Sequence, residues 1–583
     1  MEGLTKDEIS DILEEIGTLL ELKEENTFKI RAYTNGARAL RTLDGDIEDL
    51  ISQDTLKEVK GIGSALTLKI TELAKTGELQ FYKDLKKSVE PGLIEMLDIP
   101  GMGPKKVVAL HAQLNIKTVS ELKTACKDDR VATLPGFGKK TQEKILAGIE
   151  YRKQYASHIR LDEAHQLAET IIEELRNHPD VIRSSVAGSF RRSKEIIGDL
   201  DFLVSAKDGR DISNYFVSMD LVKDVIAHGE TKSSVRLIQG TQADLRVVTD
   251  DEFPFALHYF TGSKEHNIGM RQRAIKKGLR LNEYGLFKSD KETKDKNLRV
   301  TCRSEEDIFS ELGMDFIPPE MREDNGEFEL AESSKVPRLI EWTQLKGSLH
   351  NHTNWSDGIH SLGETAEYMR ELGLQYWAIT DHSKSSFQAS GLDEKKLAQQ
   401  VAEIQKINTN YESTGIDFRL LSGTEVDILN EGVLDFQDSI LCELDVVVAS
   451  IHNGFTQSKS VMTKRIIKAI ENPNVDILGH MTGRLLLARE PYQLDIKKII
   501  DACAANGTWI ELNASPYRLD LDWRHWRHAI SKGVKCVINP DAHRNEHAGY
   551  LKLATSVARK AGLTPGDVIN SLPLNDLLSK LHP

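Results

Sequence analysis

His350 and His352 stand one residue apart in the stretch LHNHTNWSDG, and Asp357 follows five residues later. Side chains two apart on an extended strand share a face, so both imidazoles can reach one ion. Neutral imidazole and carboxylate are ligands of zinc, manganese and iron. The same residue types recur at the ends of apolar runs further on. YWAITDH ends in Asp381 and His382, RLLSGTEVDI carries Glu425, DVVVASIH ends in His452 and VDILGH in His480. TWIELNAS carries Glu511 and Asn513, and KCVINPDAH ends in Asp541 and His543. One such histidine is usually a core residue. Six histidines at run ends, with Asp357, Glu425 and Asp541, describe a metal cluster.

A second constellation lies upstream. In IIGDLDFLV, Asp199 and Asp201 alternate along a strand and project to one face. Asp244 sits in another alternating strand, TQADLRVVT. Three carboxylates on adjacent strands can hold two divalent ions, which activate an attacking oxygen and stabilise a leaving one. RSSVAGS runs a strand into a Gly-Ser turn, where Gly188 and Ser189 would meet a phosphate, with Arg191 and Arg192 supplying charge.

A third pattern is repeated. VKGIGSALTLKI, IPGMGPKKVVAL and LPGFGKKTQEKI each place an apolar residue, a Gly-x-Gly turn and then a helix with lysines. The pairs are Gly61 and Gly63, Gly101 and Gly103, Gly136 and Gly138. Glycine permits the tight turn, and the helix start offers free N–H groups to an anion. This helix-hairpin-helix pattern grips a DNA phosphate without reading sequence. No strand precedes the turns and no third glycine follows, which argues against a dinucleotide fold.

The elements that must position these groups differ along the chain. Residues 1–150 read as nearly all helix, with Leu13, Ile16, Leu19, Leu20 and Leu22 at helical spacing. The middle alternates as strands. Residues 318–340 are polar, with prolines near both ends, and read as a linker or extended strap rather than a core. Beyond them seven strand-like runs separated by helical segments carry chemistry at their C-terminal ends, the layout of a β/α barrel. A length of 583 residues implies several domains. The N-terminus lacks the basic and apolar regions of a secretory leader, and no apolar run reaches membrane-spanning length. Five scattered cysteines without a CxxC pair fit reduced thiols, so a cytoplasmic location without membrane contact is expected. A formal charge of −14 argues against non-specific coating of nucleic acid, though a local basic groove remains compatible with it.

GSFRRSKEIIGDLDFLV and HYFTGSKEHNIGMRQRA resemble the family X DNA polymerases, and the resemblance covers residues 1 to about 317. It implies a nucleotidyltransferase palm with catalytic Asp199, Asp201 and Asp244 holding Mg2+ or Mn2+. It places Tyr259, Phe260, Thr261 and Gly262 at the nucleotide's sugar, and Asn267 and Arg271 at the nucleotide and template. It also implies a lyase nucleophile at Lys69 with Lys29 and Tyr33 in support, although Ala65 stands where a second basic residue is expected. The C-terminal set resembles the polymerase-and-histidinol-phosphatase (PHP) phosphoesterases. That family's nine ligands for three divalent ions (Mn2+, Zn2+ or Fe2+) fall on His350, His352, Asp357, His382, Glu425, His452, His480, Asp541 and His543. Arg484 would hold a phosphate oxygen and Asn513 would support the ligands.

Together these imply a multidomain fold. Helix-hairpin-helix regions are expected over 1–85 and 86–155, an α/β palm over 156–250 and a thumb over 251–317. A linker over 318–340 and a distorted seven-stranded β/α PHP barrel over 341–583 would follow. The architecture resembles bacterial and archaeal family X polymerases. The implied partners are gapped or nicked DNA and dNTPs, acting on a monomer. The implied activities are gap filling, 3′-to-5′ exonuclease, 3′-end cleaning and abasic-site cleavage. A small-molecule phosphatase in the barrel and a non-enzymatic DNA-end scaffold are the alternatives.

Overall fold

The computed structural model describes residues 4, 6–41, 47–52, 55–155, 157–289, 291 and 293–581. The first residues, read as lacking a leader, and residue 156, at an expected boundary, thus lie wholly or partly outside the described residues. The chain forms two units, residues 1–156 and 157–583.

The first unit is helical. Lys6–Leu22 buries Ile9, Leu13, Ile16 and Leu20, a stripe at helical spacing, against Thr27–Arg41. The three glycine turns form as expected. Gly61, Gly101 and Gly136 take φ of 105°, 80° and 82°, a region that L side chains avoid. Helices Ser64–Thr76, Pro104–Leu114 and Gly138–Tyr155 then begin at or just after the second glycine.

The second unit opens with a five-stranded mixed sheet. Its order is Val181–Val186, Asp199–Ala206, Gln242–Val248, Lys232–Leu237, Val222–His228. Asp199–Ala206 and Gln242–Val248 run parallel, with Asp201 directly opposite Asp244. Leu200, Phe202, Ala243 and Leu245 point the other way into the core, so alternation fixes which face carries the carboxylates. Helices Phe253–Thr261 and Lys264–Lys276 follow, then a short hairpin and helix Glu305–Glu311.

Residues 318–340, read as a linker, are packed. Phe328 and Ala331 join the apolar cluster of Phe255, Met270, Ile308 and Phe309. Arg322 is fully buried, and its charge is met by Glu305 at 2.5 Å. Glu305 also receives Arg191 at 2.5 Å. Burial favours the neutral acid, but Arg322 and Arg191 outweigh it and hold the Glu305 carboxyl at about 2. Glu305→Ala should therefore cost about 3–5 kcal/mol, because it leaves two arginines without their buried counter-ion. The folded pKa lies below the ordinary 4.5, so this stabilisation is present above that pH and is lost as pH falls toward 2. Thermal midpoints of the wild type and Glu305→Gln should accordingly converge in acid.

The last region is a barrel of seven parallel strands in chain order. They are Gly347–Ser348, Tyr376–Ile379, Arg419–Asp427, Val446–Ser450, Ile477–Leu478, Trp509–Asn513 and Cys536–Asn539. They are buried nearly throughout, as parallel strands covered on both faces must be. The first and last strands meet through a bridge between Asn351 and Ala542, with His352 N donating to Ala542 O at 2.7 Å. Asn539 adds a side-chain link to Leu349 N at 2.8 Å. This seam nearly closes the ring next to His350 and His352. Among the described residues no helix is long and apolar enough to cross a membrane.

Candidate functional site

Asp199, Asp201 and Asp244 share one face of the palm sheet. Gln242 Nε2 donates to Asp244 Oδ1 at 2.8 Å, and Lys232 Nζ stands 3.2 Å from Asp244 Oδ2. Burial and then the charges of Asp199 and Asp244 push the Asp201 carboxyl up to about 7, and Asp199 is raised by burial and Asp244. Crowded, partly desolvated carboxylates of this kind fit a divalent cation, which removes the repulsion that raises them. A Cβ on Gly188 would lie 2.0 Å from Asp201 Oδ2, and its φ is 61°, so only glycine lets the Gly188–Arg191 turn come this close. Ser189 is half-buried on that turn.

The two arginines after it are committed to the protein. Arg191 donates to Thr261 Oγ1 at 2.6 Å as well as to Glu305. Arg192 is buried, donates to Glu323 at 3.0 Å and reaches the Thr261 carbonyl. Both thus tie the Gly188–Arg191 turn to the segment at Thr261 and Gly262. Just before that segment the rings of Tyr259 and Phe260 meet edge to face at 5.2 Å, and Arg246 covers Phe260 at 5.0 Å. Asn267 Nδ2 fixes the Tyr259 carbonyl at 2.7 Å, and Gly262 is buried with φ 70°. Arg271 is exposed on the next helix.

In the barrel, Glu425 is the centre. Its Oε1 lies 2.9 Å from His480 Nε2, 3.2 Å from His452 Nε2 and 3.4 Å from His350 Nε2. Its Oε2 lies 2.8 Å from His382 Nδ1 and 3.7 Å from His352 Nε2. Three groups have ligand-like spacing: His352, Asp357, His382 and His543; His350, His352 and Asp541; His382, Glu425 and His452. His352 and His382 each belong to two of them. His350 Nε2, His382 Nδ1 and Glu425 Oε2 are buried without an aligned hydrogen-bond partner, although the last two stand 2.8 Å apart. Lone pairs that converge without bonding one another fit cations between them. Asp541 adopts φ 53°, strain of the kind concentrated at functional sites.

The supporting shell contains residues that the sequence did not single out. His452 Nδ1 is held by Asp427 Oδ1 at 2.9 Å, and Ser386 Oγ donates to the other Asp427 oxygen at 2.6 Å. Asp427 lies two residues after Glu425 on one strand, the same spacing that exposed Asp199 and Asp201. His350 Nδ1 meets Glu511 Oε1 at 2.7 Å, and Glu511 also takes His480 N at 2.6 Å. Such partners fix the tautomer and raise ligand basicity. Burial opposes the charged form of His350, but Glu511, Glu425 and Asp541 outweigh it and raise it well above the ordinary range. Asn513 supports as expected, donating to Glu511 at 3.2 Å and Asp541 at 3.1 Å. Asp381 is a hub for Thr353, Ser356 and Gln400 rather than a ligand. Arg484, expected at a phosphate oxygen, is bonded within the protein. It is spent on Asp522 at 2.7 Å, Glu195 at 3.5 Å and the carbonyls of Arg518 and Leu519. The cation beside the cluster is Arg518, 3.7 Å from Asp541.

In the first unit Lys69 Nζ donates to the Tyr33 hydroxyl and sits 3.9 Å over the Phe81 ring. Lys29 lies 6.0 Å from the same ring, paired with Glu25 at 3.3 Å. A Cβ built on Gly63, Gly101, Gly103, Gly136 or Gly138 would meet nothing, so the hairpin tips are open to an approaching backbone.

Comparison with known proteins agrees with this layout. Residues 5–79 match a helix-hairpin-helix domain and 93–150 a SAM-like helix-hairpin-helix tandem. Residues 158–243 match the DNA polymerase beta palm, 256–323 the DNA polymerase beta thumb and 348–515 the PHP domain. The chain is 39% identical over 574 residues to the "DNA polymerase/3'-5' exonuclease PolX" of Bacillus subtilis, covering 98% of each. It is 31% identical over 244 residues to a Thermoanaerobacter protein named "Probable phosphatase", covering 39% of this chain and 91% of that one. It is 25% identical over 299 residues to "DNA polymerase lambda" of Arabidopsis thaliana, covering 46% of this chain and 54% of the other. The chain belongs to the family X DNA polymerases that carry a C-terminal PHP domain.

Proposed function

We propose that the protein is a DNA repair polymerase that fills short gaps with dNTPs and degrades DNA from the 3′ end at its barrel. The observation that carries this is the pairing of Asp201 with Asp244 across two parallel strands, with Gly188 pressed against Asp201. In the reaction a primer 3′-hydroxyl attacks the α-phosphate of the nucleotide and pyrophosphate leaves. Asp199, Asp201 and Asp244 would hold Mg2+ or Mn2+, and the barrel's nine ligands would hold three ions of Mn2+, Zn2+ or Fe2+. Bound divalent ions supply charge neutralisation at the phosphoryl oxygens and acidify the attacking oxygen. The chain's own part is positioning. The Gly188 turn brings backbone to the phosphates, and the Tyr259–Phe260 pair crowds the sugar and disfavours a 2′-hydroxyl. In the barrel, Glu425 gathers five imidazoles, Asp427 and Glu511 fix His452 and His350, and Arg518 supplies positive charge for a scissile phosphate. The substrate is gapped or nicked DNA, and the protein acts as a monomer.

Extension of a labelled primer by one nucleotide across a one-nucleotide gap, with dNTPs and Mg2+, tests the polymerase. No extension at any Mg2+ concentration would overturn it. A barrel that hydrolyses small phosphate esters is the reading favoured by the phosphatase relative. Excess small ester that fails to slow DNA degradation would dispose of it.

Lys69 is proposed as a nucleophile on abasic DNA, supported by the aromatic wall of Tyr33 and Phe81 around its amine. Borohydride should trap an adduct with an abasic 5′-phosphate end, and Lys69→Ala should abolish it. Absence of an adduct with the wild type would leave Lys69 as a phosphate contact.

A further inference from the structure

The barrel reaches the palm's Arg192 turn through a buried lysine. Lys560 closes helix Tyr550–Lys560, and its side chain is wholly shielded from solvent. Its Nζ donates to the Arg192 carbonyl at 2.9 Å, the Glu320 carbonyl at 3.3 Å and the Glu323 carboxylate at 2.6 Å. An ammonium has three donors, and all three are used, so its position is over-determined and no donor is left for a ligand. The Trp523 ring covers it at 4.5 Å.

Its partners are the groups that join the two nucleotide-holding turns. Glu323 takes Arg192 Nε at 3.0 Å and lies 3.6 Å from Lys194. Arg192 then donates to the carbonyl of Thr261, the residue before Gly262. One charge from the barrel thus fixes the Arg192 peptide, the carboxylate that aims the Arg192 guanidinium, and through it the sugar turn. A second strut runs in parallel: Arg484, four residues after His480, stands 3.5 Å from Glu195. Adhesion alone would be served by apolar side chains, since burying a charge costs free energy unless every bond is made. Charge at this place specifies a position.

We propose that Lys560 of the barrel is a positioning residue for the polymerase reaction, setting the spacing between the turn that holds the phosphates of a deoxynucleoside triphosphate and the turn that faces its sugar. This rests on the polymerase reading of the palm. Lys560 does not touch the substrate. Its loss leaves the Arg192 carbonyl without its ammonium donor and Glu323 with one fewer cation, and the two turns relax relative to each other.

The test uses the full-length chain with Lys560→Met, and Lys560→Gln as a milder variant that keeps two N–H donors but no charge. Single-nucleotide insertion into a one-nucleotide gap is measured with Mg2+ over a range of dNTP. Mn2+-dependent degradation of a single-stranded 3′ end is measured beside it. Lys560→Met should raise the KM for dNTP about tenfold, as loss of a binding contribution made equally in ground and transition states does. Its kcat should stay within about twofold, the pattern of lost ground-state binding, and degradation should be unchanged. Lys560→Gln should fall between Lys560→Met and the wild type. An unchanged KM in either folded variant would overturn the proposal. So would a parallel loss of insertion and degradation, or failure of both variants to fold, since either makes the residue merely structural. A wild type that inserts no nucleotide would instead remove the polymerase reading beneath it.

Discussion

Asp201→Ala should lose gap filling by at least about a hundredfold, the scale on which a single electrostatic contribution at a reacting centre is felt, while Mn2+-dependent degradation continues. Asp201 faces Asp244 across the parallel strand pair and packs against Gly188, in the turn proposed to meet the nucleotide's phosphates. No other described carboxylate lies in register to replace it. The wild type should show the same dependence through pH. The Asp201 carboxyl is raised to about 7 by burial and by its two neighbours, so below that pH a proton competes with the cation. The Mg2+ concentration for half-maximal extension should therefore rise as pH falls from 8 to 6. Primer extension by Asp201→Ala at the wild-type rate would remove the palm assignment.

His352→Ala should abolish degradation and leave gap filling intact. His352 belongs to two of the three ligand-like groups, through Asp357, His382 and His543 on one side and His350 and Asp541 on the other. Deleting it should weaken both sites at once. Loss of a mere supporting contact to a ligand costs about 10–100-fold in metal affinity or activity, and a shared ligand should exceed that. Purified wild type should carry more than one equivalent of zinc, manganese or iron, and the variant clearly less. The palm carboxylates are on a different sheet, so extension should persist. No bound transition metal, together with no degradation after manganese is supplied, would favour a scaffold instead.

Much of this was legible because the signal was periodic. Asp199 and Asp201 declare one strand face by their spacing, and Asp244 turned out to be the residue opposite. The seven apolar runs ending in histidine or carboxylate are the seven barrel strands, although two of them, Gly347–Ser348 and Ile477–Leu478, pair over only two residues each. What was not legible depends on partners far away in sequence. Residues 318–340 read as a linker because they are polar, yet Arg322 and Glu327 are buried there, matched by Glu305 and His266. Polarity predicts exposure only when no partner exists. Arg484 read as a phosphate ligand for its place beside His480, but Glu195 and Asp522 had already claimed it. Phe81, which packs on Lys69, lies on a different helix and carries no local mark.

The proposal of two separate active sites on one chain makes its most direct demand on a single time course. A 5′-labelled primer in a one-nucleotide gap is incubated with dNTPs and Mn2+, with the wild type, Asp201→Ala, His352→Ala and the double variant. The wild type should give both the extended product and a ladder of shortened ones. Asp201→Ala should give only the ladder, His352→Ala only the extension, and the double variant neither. Loss of both products in either single variant, or retention of either product in the double variant, would contradict the assignment of the two chemistries to these two clusters.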